Sequence, residues 1–506
     1  MAPLVLPPGG VVPDGPAPLT VRAAISALLS AVGAFLFGLD IGYIAPILEC
    51  HSFKRDVAKI QDPLAELDDA TIGFIVGIFS LGCIFSSLPC ICGHFMDEWG
   101  RRDTIVLGAG LFLIGCFVQA ASTSVLTMCA GRLLAGLSIG LLSPVVSLYQ
   151  SEVASPQWRG ALTSLYQLMI TFGILVASLV DHDLVEFDGG WRVAILLQVI
   201  PGGLLLFGMP MLPRSPRWLV QRGREGEALQ ALLRLRDSEE SAHAELDEIV
   251  RSRDATRELG KPRWEDLGQG VVARLVLVGI ALQVLQQLVG MNAFMYFGPR
   301  IFRMLGLSPI RYQVVMNFVN FLATFPAICF SDSFGRKSLL ILGSVICTLA
   351  CFVLGFVGTG GFSEKAAVGM TNRWVSFIAV HSVLVFVAAF AATWGPVVWT
   401  YCSEIFPQKH RGRCMAIATT SNWVGNFIIA QATPVMFGLF GFGTFYVFGS
   451  FCILSLGVAL WLPETKGIPL EDIEEVFQRT FAKTPKQMAD LDEAKMPLLQ
   501  DPVAKP

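Results

Sequence analysis

Gly93-His-Phe-Met-Asp97-Glu-Trp-Gly100-Arg101-Arg102 follows the second long apolar run of the chain, and Asp332-Ser-Phe-Gly335-Arg336-Lys337 follows the eighth. A second matched pair lies further along each half. Ser151-Glu152-Val-Ala-Ser-Pro-Gln-Trp-Arg159-Gly160 comes after the fourth run, and Ser403-Glu404-Ile-Phe-Pro-Gln-Lys-His-Arg411-Gly412 after the tenth. Related polar motifs at equivalent places mean a duplicated unit of six apolar segments. Two such halves, with a site at their interface, are the plan of rocker-type secondary transporters.

The rest of the chain fits that frame. It is 53% hydrophobic and only 15% charged over 506 residues, where soluble domains carry about 25% charged residues. A membrane-crossing helix takes about 20 apolar residues. Twelve runs qualify: 23–48, 71–93, 104–121, 124–148, 161–181 and 192–212, then 273–298, 311–331, 338–358, 376–402, 413–437 and 440–462. The expected fold is an all-α membrane protein of twelve transmembrane helices in two six-helix bundles. Its expected units are a disordered N-terminal tail (1–22), an N-terminal bundle (23–212), a helical linker (213–272), a C-terminal bundle (273–462) and a C-terminal tail (463–506). Within the linker, Glu225-Gly-Glu-Ala-Leu-Gln-Ala-Leu-Leu-Arg-Leu-Arg236 has the periodicity of an amphipathic helix.

Lys and Arg in short loops set orientation. Arg101 and Arg102, the Arg-rich linker, Arg336 and Lys337, and Lys409, Arg411 and Arg413 all fall on one side, whereas Asp181-His-Asp-Leu-Val-Glu-Phe-Asp188 reads as an acidic loop on the other. Lys54, Arg55 and Lys59 depart from this pattern, but acidic neighbours offset them. Both termini and the linker are expected to be cytoplasmic.

Several functions are excluded. The net charge of -3 gives no basic surface for nucleic acid. GxxxxGK[ST] is absent, so there is no sign of ATP-driven pumping. The 12 cysteines lie mostly inside apolar runs, with no CxxC spacing, and the 6 histidines show no metal spacing. No metal, cofactor or catalytic triad is expected, and the protein is not read as an enzyme. Cys50 lies outside the spans with no evident disulfide partner, and there is no Asn-x-Ser/Thr acceptor.

Asp40, in Ala31-Val-Gly-Ala-Phe-Leu-Phe-Gly-Leu-Asp40-Ile-Gly42, is the outlying residue of the first span. A carboxylate at mid-bilayer costs about 2.5–3.5 kcal/mol on insertion scales. Its default reading is a proton or ion site facing the protein interior; the bland reading is a structural Asp paired with an Arg.

From about residue 30 to 470 the chain resembles the sugar porter family of the major facilitator superfamily. The likeness rests on motifs in order: Asp97 to Arg102, Gly131-Arg132, Ser151-Glu152, Pro213-Arg-Ser-Pro-Arg217, Gln286-Gln287, Asp332 to Lys337, Gly395-Pro-Val-Val-Trp399 and Pro463-Glu-Thr-Lys-Gly467. It implies that Asp40 pairs with Arg132 and carries the proton, since proton symporters of the family typically have Asp at this position and facilitative animal members Asn. The usual Phe-Gly-Tyr-Asp is here Phe37-Gly38-Leu39-Asp40.

By the same resemblance, Gln167, Gln286, Gln287, Asn292, Asn320 and Asn426 are expected to bind the sugar. Amides suit the task because each offers a donor and an acceptor to hydroxyls that are both. Helix-to-helix bonding is the alternative for each. Trp399, Trp423, Phe390 and Phe37 match aromatic positions round the pocket, and Tyr296 and Phe297 are expected to close over it. Asp97, Arg101, Glu152, Arg159, Arg217, Asp332, Arg336, Glu404 and Arg411 match the family's cytoplasmic salt-bridge latch. One departure is Arg214, where the family has Glu; its expected partner lies in the acidic linker.

The resemblance implies a monosaccharide importer, for a hexose first, coupled to protons by alternating access. Sugar, proton and bilayer are its expected partners, and it is expected to work as a monomer. The alternatives are a facilitative uniporter, a proton-coupled transporter of inositol, another polyol or a pentose, and, remotely, a transport-dead sensor. The short tail, with Glu471-Asp-Ile-Glu-Glu-Val-Phe477 read as a capping helix, argues against the sensor. Plasma membrane is the expected location. Pro497-Leu498-Leu499 below Glu493 resembles a dileucine sorting signal with one residue too many, which keeps endosomal, vacuolar or lysosomal membranes as alternatives.

Overall fold

The structure, a computed structural model, describes residues 20–466 and Phe477, except 63, 64, 66, 155–158, 259–263, 361–372 and 408; the side chains of 159–164, 255–258, 328–333 and 373 are also outside the description. The expected N-terminal tail, capping helix and dileucine segment therefore fall almost entirely outside the described residues.

The described residues are α-helical with no strand, and the expected fold class holds. The first half runs α1 (Val21–Glu49), α2 (His51–Asp56), α3 (Asp69–Ser87), α4 (Pro89–Glu98), α5 (Arg101–Ala120), α6 (Val125–Val153), α7 (Arg159–Leu184), α8 (Gly190–Leu197) and α9 (Val199–Gly208). The linker holds α10 (Pro216–Gln221), α11 (Glu225–Leu235) and α12 (Glu239–Glu258). The second half runs α13 (Gly270–Leu288), α14 (Met291–Met304), α15 (Pro309–Phe334), α16 (Arg336–Gly358), α17 (Arg373–Ala392), α18 (Trp394–Ile405), α19 (Arg411–Phe440) and α20 (Thr444–Trp461).

Among the described residues ten stretches are long and apolar enough to cross a membrane. One of these, Arg411–Trp461, breaks at Gly441–Gly443 into α19 and α20, and α15 adds a further helix of 26 residues, so the chain has the twelve crossings of the fold class. Burial follows this solvent logic: large apolar side chains such as Leu204, Phe207, Leu349, Phe377 and Leu439 face outward, which in lipid costs nothing.

The halves meet along two equivalent seams, α3 against α19 and α7 against α15, with α1 against α14 between them. Where side chains must give way, glycines do so. Gly38 and Gly42 of α1 lie against the backbone of α7 at Ile170 to Gly173 and at Ile174 to Ala177, where any Cβ would collide.

Two second-half crossings are discontinuous. One breaks between α13 and α14 at Gly290, which adopts φ +97 with Phe448 where a Cβ would stand. The other breaks between α17 and α18 at Thr393. Broken helices free backbone groups at membrane depth, and such groups persist only where protein or a cavity satisfies them. Both breaks border the amide cluster described below. The linker helices bury a small core of their own, including Trp218, Leu219, Ala228, Leu232 and Ile249; the amphipathic reading of 225–236 matches α11.

Candidate functional site

The duplicated motifs build the same device twice on the linker face. Gly100 and Gly335 both adopt φ +86 immediately before α5 and α16, a conformation open to glycine. The arginine that follows reaches a glutamate: Arg101 Nη2 lies 3.0 Å from Glu152 Oε1, and Arg336 Nη2 lies 2.8 Å from Glu404 Oε1. Each glutamate's second oxygen takes a hydroxyl, from Ser215 at 2.5 Å and from Thr465 at 2.6 Å. Each device is tied down by a tyrosine, with Tyr149 donating to the Pro213 carbonyl at 2.8 Å and Tyr401 to that of Pro463 at 2.9 Å.

The two copies differ at one place. Glu464 accepts from the backbone N–H groups of Arg336 and Lys337 at the start of α16, and Arg214 occupies the matching place in the first half. Its partner is not in the linker, as the sequence suggested, but Asp103 in the first turn of α5, at 2.6 Å. The reason is proximity: Arg214 directly follows the end of the sixth crossing, beside α5, and its guanidinium also lies over Trp218.

Other latch residues are placed unequally. The Asp97 side chain is exposed, and among the described residues it is its backbone carbonyl that is used, by Trp218 and Arg222. Arg217 makes no ion pair with a described residue. Arg411 reaches the Phe406 carbonyl at 3.4 Å among other interactions. The side chains of Arg159 and Asp332 lie outside the described residues.

Asp40 and Arg132 come together in the core of the first half, 1% and 0% exposed, with Nη2 3.5 Å from Oδ2. Among the described residues neither Asp40 oxygen has a well-formed hydrogen bond, although the Tyr43 hydroxyl approaches the carboxylate. Arg132 is better satisfied: Nε donates to the Ile75 carbonyl at 2.7 Å and Nη1 to the Tyr43 hydroxyl at 2.8 Å, and Tyr43 donates onward to Gln119. Tyr43 and Gln119 went unnoticed in the sequence, although Tyr43 lies one turn beyond Asp40 on α1, a spacing that carried the signal.

The second-half amides form a network. Gln286 donates to the carbonyls of Trp394 and Gly395 at 2.8 and 2.9 Å, at the broken start of α18. Gln287 donates to Asn422 at 3.0 Å and accepts from Asn292; Asn422 also donates to Gln283 at 2.7 Å and to Gln286 at 2.8 Å. Asn426 accepts from Ser80 of the other half at 2.7 Å and from Tyr296 at 3.2 Å. Gln283 and Asn422 were missed; both lie one turn from an amide that was read, Gln287 and Asn426. Gln167 and Asn320 make no side-chain hydrogen bond with a described residue. Their helices meet through Thr171 and Thr324, 3.3 Å apart.

Aromatic rings join the two clusters. Phe37 and Phe79 pack on Trp423 at 5.3 and 6.2 Å, and Phe79 lies 5.1 Å from the Arg132 guanidinium. Phe297 is buried beside Tyr296, Phe390 abuts Gly395, and Trp399 is half-buried.

At the face away from the linker, ion pairs cross between halves. Arg300 meets Asp69 at 2.5 Å, and Arg303 meets Glu49, which Lys54 also approaches at 3.9 Å. Arg300, Arg303, Glu49 and Lys54 line a small cavity together with Tyr296 and Phe297, and the pairs tie the two halves together on this side. Nearby, burial opposes the charge on Asp56, but hydrogen bonds from Arg192 and Arg55 outweigh it and hold the carboxyl below its usual range. Cys50 is a free thiol, donating to the Val185 carbonyl at 3.3 Å. Asp181 is not in an acidic loop as read from sequence; it lies inside α7, wholly buried, because the helix continues to Leu184.

Residues 26–477 match the family profile described as sugar (and other) transporter. The galactose-proton symporter of Escherichia coli K12 is 35% identical over 452 residues, covering 88% of this chain and 92% of that protein. The arabinose-proton symporter of the same organism is 36% identical, covering 88% and 91%. H(+)/hexose cotransporter 1 of Parachlorella kessleri is 32% identical, covering 91% and 88%. Among solved structures, the proton:xylose symporter XylE bound to 6-bromo-6-deoxy-D-glucose superposes with a TM-score of 0.74 at 29% identity, covering 90% of this chain and 99% of that one. The inward-open form of XylE from E. coli gives 0.71 at 27% identity, covering 90% and 99%. This chain belongs to the sugar transporter family.

Proposed function

We propose that the protein imports a monosaccharide, a hexose first, together with a proton. The observation that carries the proton half is Asp40: a fully buried carboxylate, 3.5 Å from Arg132 and with no well-formed hydrogen bond from a described residue to either oxygen. An ion pair so poorly satisfied is costly to keep charged, and adding a proton to Asp40 releases Arg132. The sugar half rests on the amide network and its aromatic border.

In this scheme Asp40 takes a proton from outside. Sugar binds to Gln286, Gln287, Asn292, Asn320 and Asn426 from one half and Gln167 from the other, with Trp399 against its apolar face. Tyr296 and Phe297 close over it, and the halves rock. Inside, Arg132 re-pairs with Asp40 and expels the proton. The paired motifs on the linker face act as the latch of the alternate state. Positive loops favour a cytoplasmic linker and cytoplasmic termini, with the plasma membrane as the default location, and each polypeptide works alone. Relatives named for arabinose and xylose make a pentose the second reading.

One proton falling through 100 mV yields about 2.3 kcal/mol, which supports roughly 50-fold accumulation at about 1.4 kcal/mol per tenfold. The test is Asp40→Asn in proteoliposomes. Sugar exchange should survive and accumulation should vanish. Accumulation persisting in Asp40→Asn would refute the assignment.

A further inference from the structure

Asp181 is a second buried carboxyl, and the scheme above does not use it. It is 0% exposed, and among the described residues neither oxygen has a hydrogen-bond partner and no cation pairs with it. α7 packs against α1, α6, α8 and α15, and their charged groups are engaged elsewhere. Asp40 of α1 lies with Arg132 of α6, Glu49 of α1 with Arg303 and Lys54, Glu152 of α6 with Arg101, and Arg192 of α8 with Asp56. Arg22 stands at the opposite end of α1, and Arg311 of α15 is exposed. On α7 itself, His182 and Asp183 pair with each other at the surface. The nearby thiol, Cys50, is committed to the Val185 carbonyl.

The register shows what Asp181 does face. α1 and α7 advance together, Gly38 against Ile170 to Gly173 and Gly42 against Ile174 to Ala177. The same register carried one turn further sets Asp181 level with Ala45 and Pro46. Pro46 lies inside α1 and has no N–H for the Gly42 carbonyl four residues back. At Pro46, α1 therefore offers an acceptor, the Gly42 carbonyl, and no N–H of its own. A carboxylate can only accept, whereas a carboxylic acid can donate one hydrogen bond, and an unpaired buried charge is expensive.

We propose that Asp181 is a second proton-binding site, occupied in this closed state, where the acid bridges α7 to the proline break of α1. Its position near the far-face end of α7, in register with Ala45 of α1, which shares a cavity lining with Arg300 and Arg303, ties its occupancy to closure of that face. Opening removes α14 from the end of α1 and admits water, and the proton is then free to leave.

The test is infrared spectroscopy of the reconstituted protein, which reads the carbonyl stretch of protonated carboxylic acids and its deuterium shift without requiring any transport. At neutral pH the wild type should show such a band; Asp181→Asn, nearly isosteric, should lose it and Asp40→Asn should keep a component of it. In uptake measurements Asp181→Asn, which mimics the neutral form, should flatten the decline of transport at alkaline outer pH, while Asp40→Asn still abolishes accumulation. No acid band in the wild type, or a band and pH profile unchanged in Asp181→Asn, would overturn the proposal while leaving the Asp40 scheme intact.

Discussion

At the scale of single residues, Phe79 is the side chain that touches both proposed functions. One contact is with the Arg132 guanidinium and the other with Trp423, so in the proposed scheme a shift of Arg132 on protonation of Asp40 reaches the proposed sugar pocket through one ring. Phe79→Leu keeps the volume roughly but removes the cation–π contact, worth about 2 kcal/mol when desolvated. We expect sugar binding within a few-fold of wild type but a lower accumulation ratio; unchanged coupling would show that the ring merely fills space. Asp40 was legible in the sequence because charge inside an apolar run has few explanations. Tyr43 and Gln119 were not, because a polar residue that completes another's hydrogen bonds looks in sequence like any other helix residue. Asp181 was misread for a related reason: His182 and Asp183 beside it are polar, and a helix end cannot be told from a loop by composition.

At the scale of elements, the two motif copies are a control for each other. The repeat was visible from spacing, and so was the oddity of Arg214. Its partner was not, because Asp103 and Arg214 are far apart in sequence and meet only through the packing of α5 beside the sixth crossing. Arg214→Glu alone should destabilise the linker-face device, placing two acids together where one pair stood. The effect should be about 1 kcal/mol, given partial exposure of both groups. Adding Asp103→Ser should restore stability, because Glu at 214 then takes the capping role that Glu464 plays in the second half; thermal unfolding in detergent reads this. If the double variant is no more stable than Arg214→Glu, the two devices are not equivalent. Gly290 makes a sharper case. Its positive φ and the Phe448 ring leave no room for a side chain, so Gly290→Ala should cost about 1–3 kcal/mol and loosen the break that seats Gln287 and Asn292.

At the scale of the whole molecule, the ion pairs recorded between the halves among the described residues are at the far face. The state is therefore one closed on that side. Arg300→Ala with Arg303→Ala should remove about 1–2 kcal/mol of closure, a roughly tenfold shift toward the open form. Spin labels on the far-face ends of α3 and α14 should then move apart in the population average; an unchanged distance would mean that the apolar seams alone hold the face shut. The twelve-crossing plan and its duplication could be read from apolar runs and motifs. Which face was closed could not, because two states share one sequence and differ only in which contacts are made.

In the proposed scheme sugar movement is driven by protons. The most direct test is uptake of labelled glucose by vesicles containing the purified protein, under an inward proton gradient with and without an uncoupler. Transient accumulation above equilibrium, abolished by the uncoupler, is the result expected here. Equilibration at the same rate in both conditions would contradict it, and would leave Asp40 a structural partner of Arg132 in a uniporter.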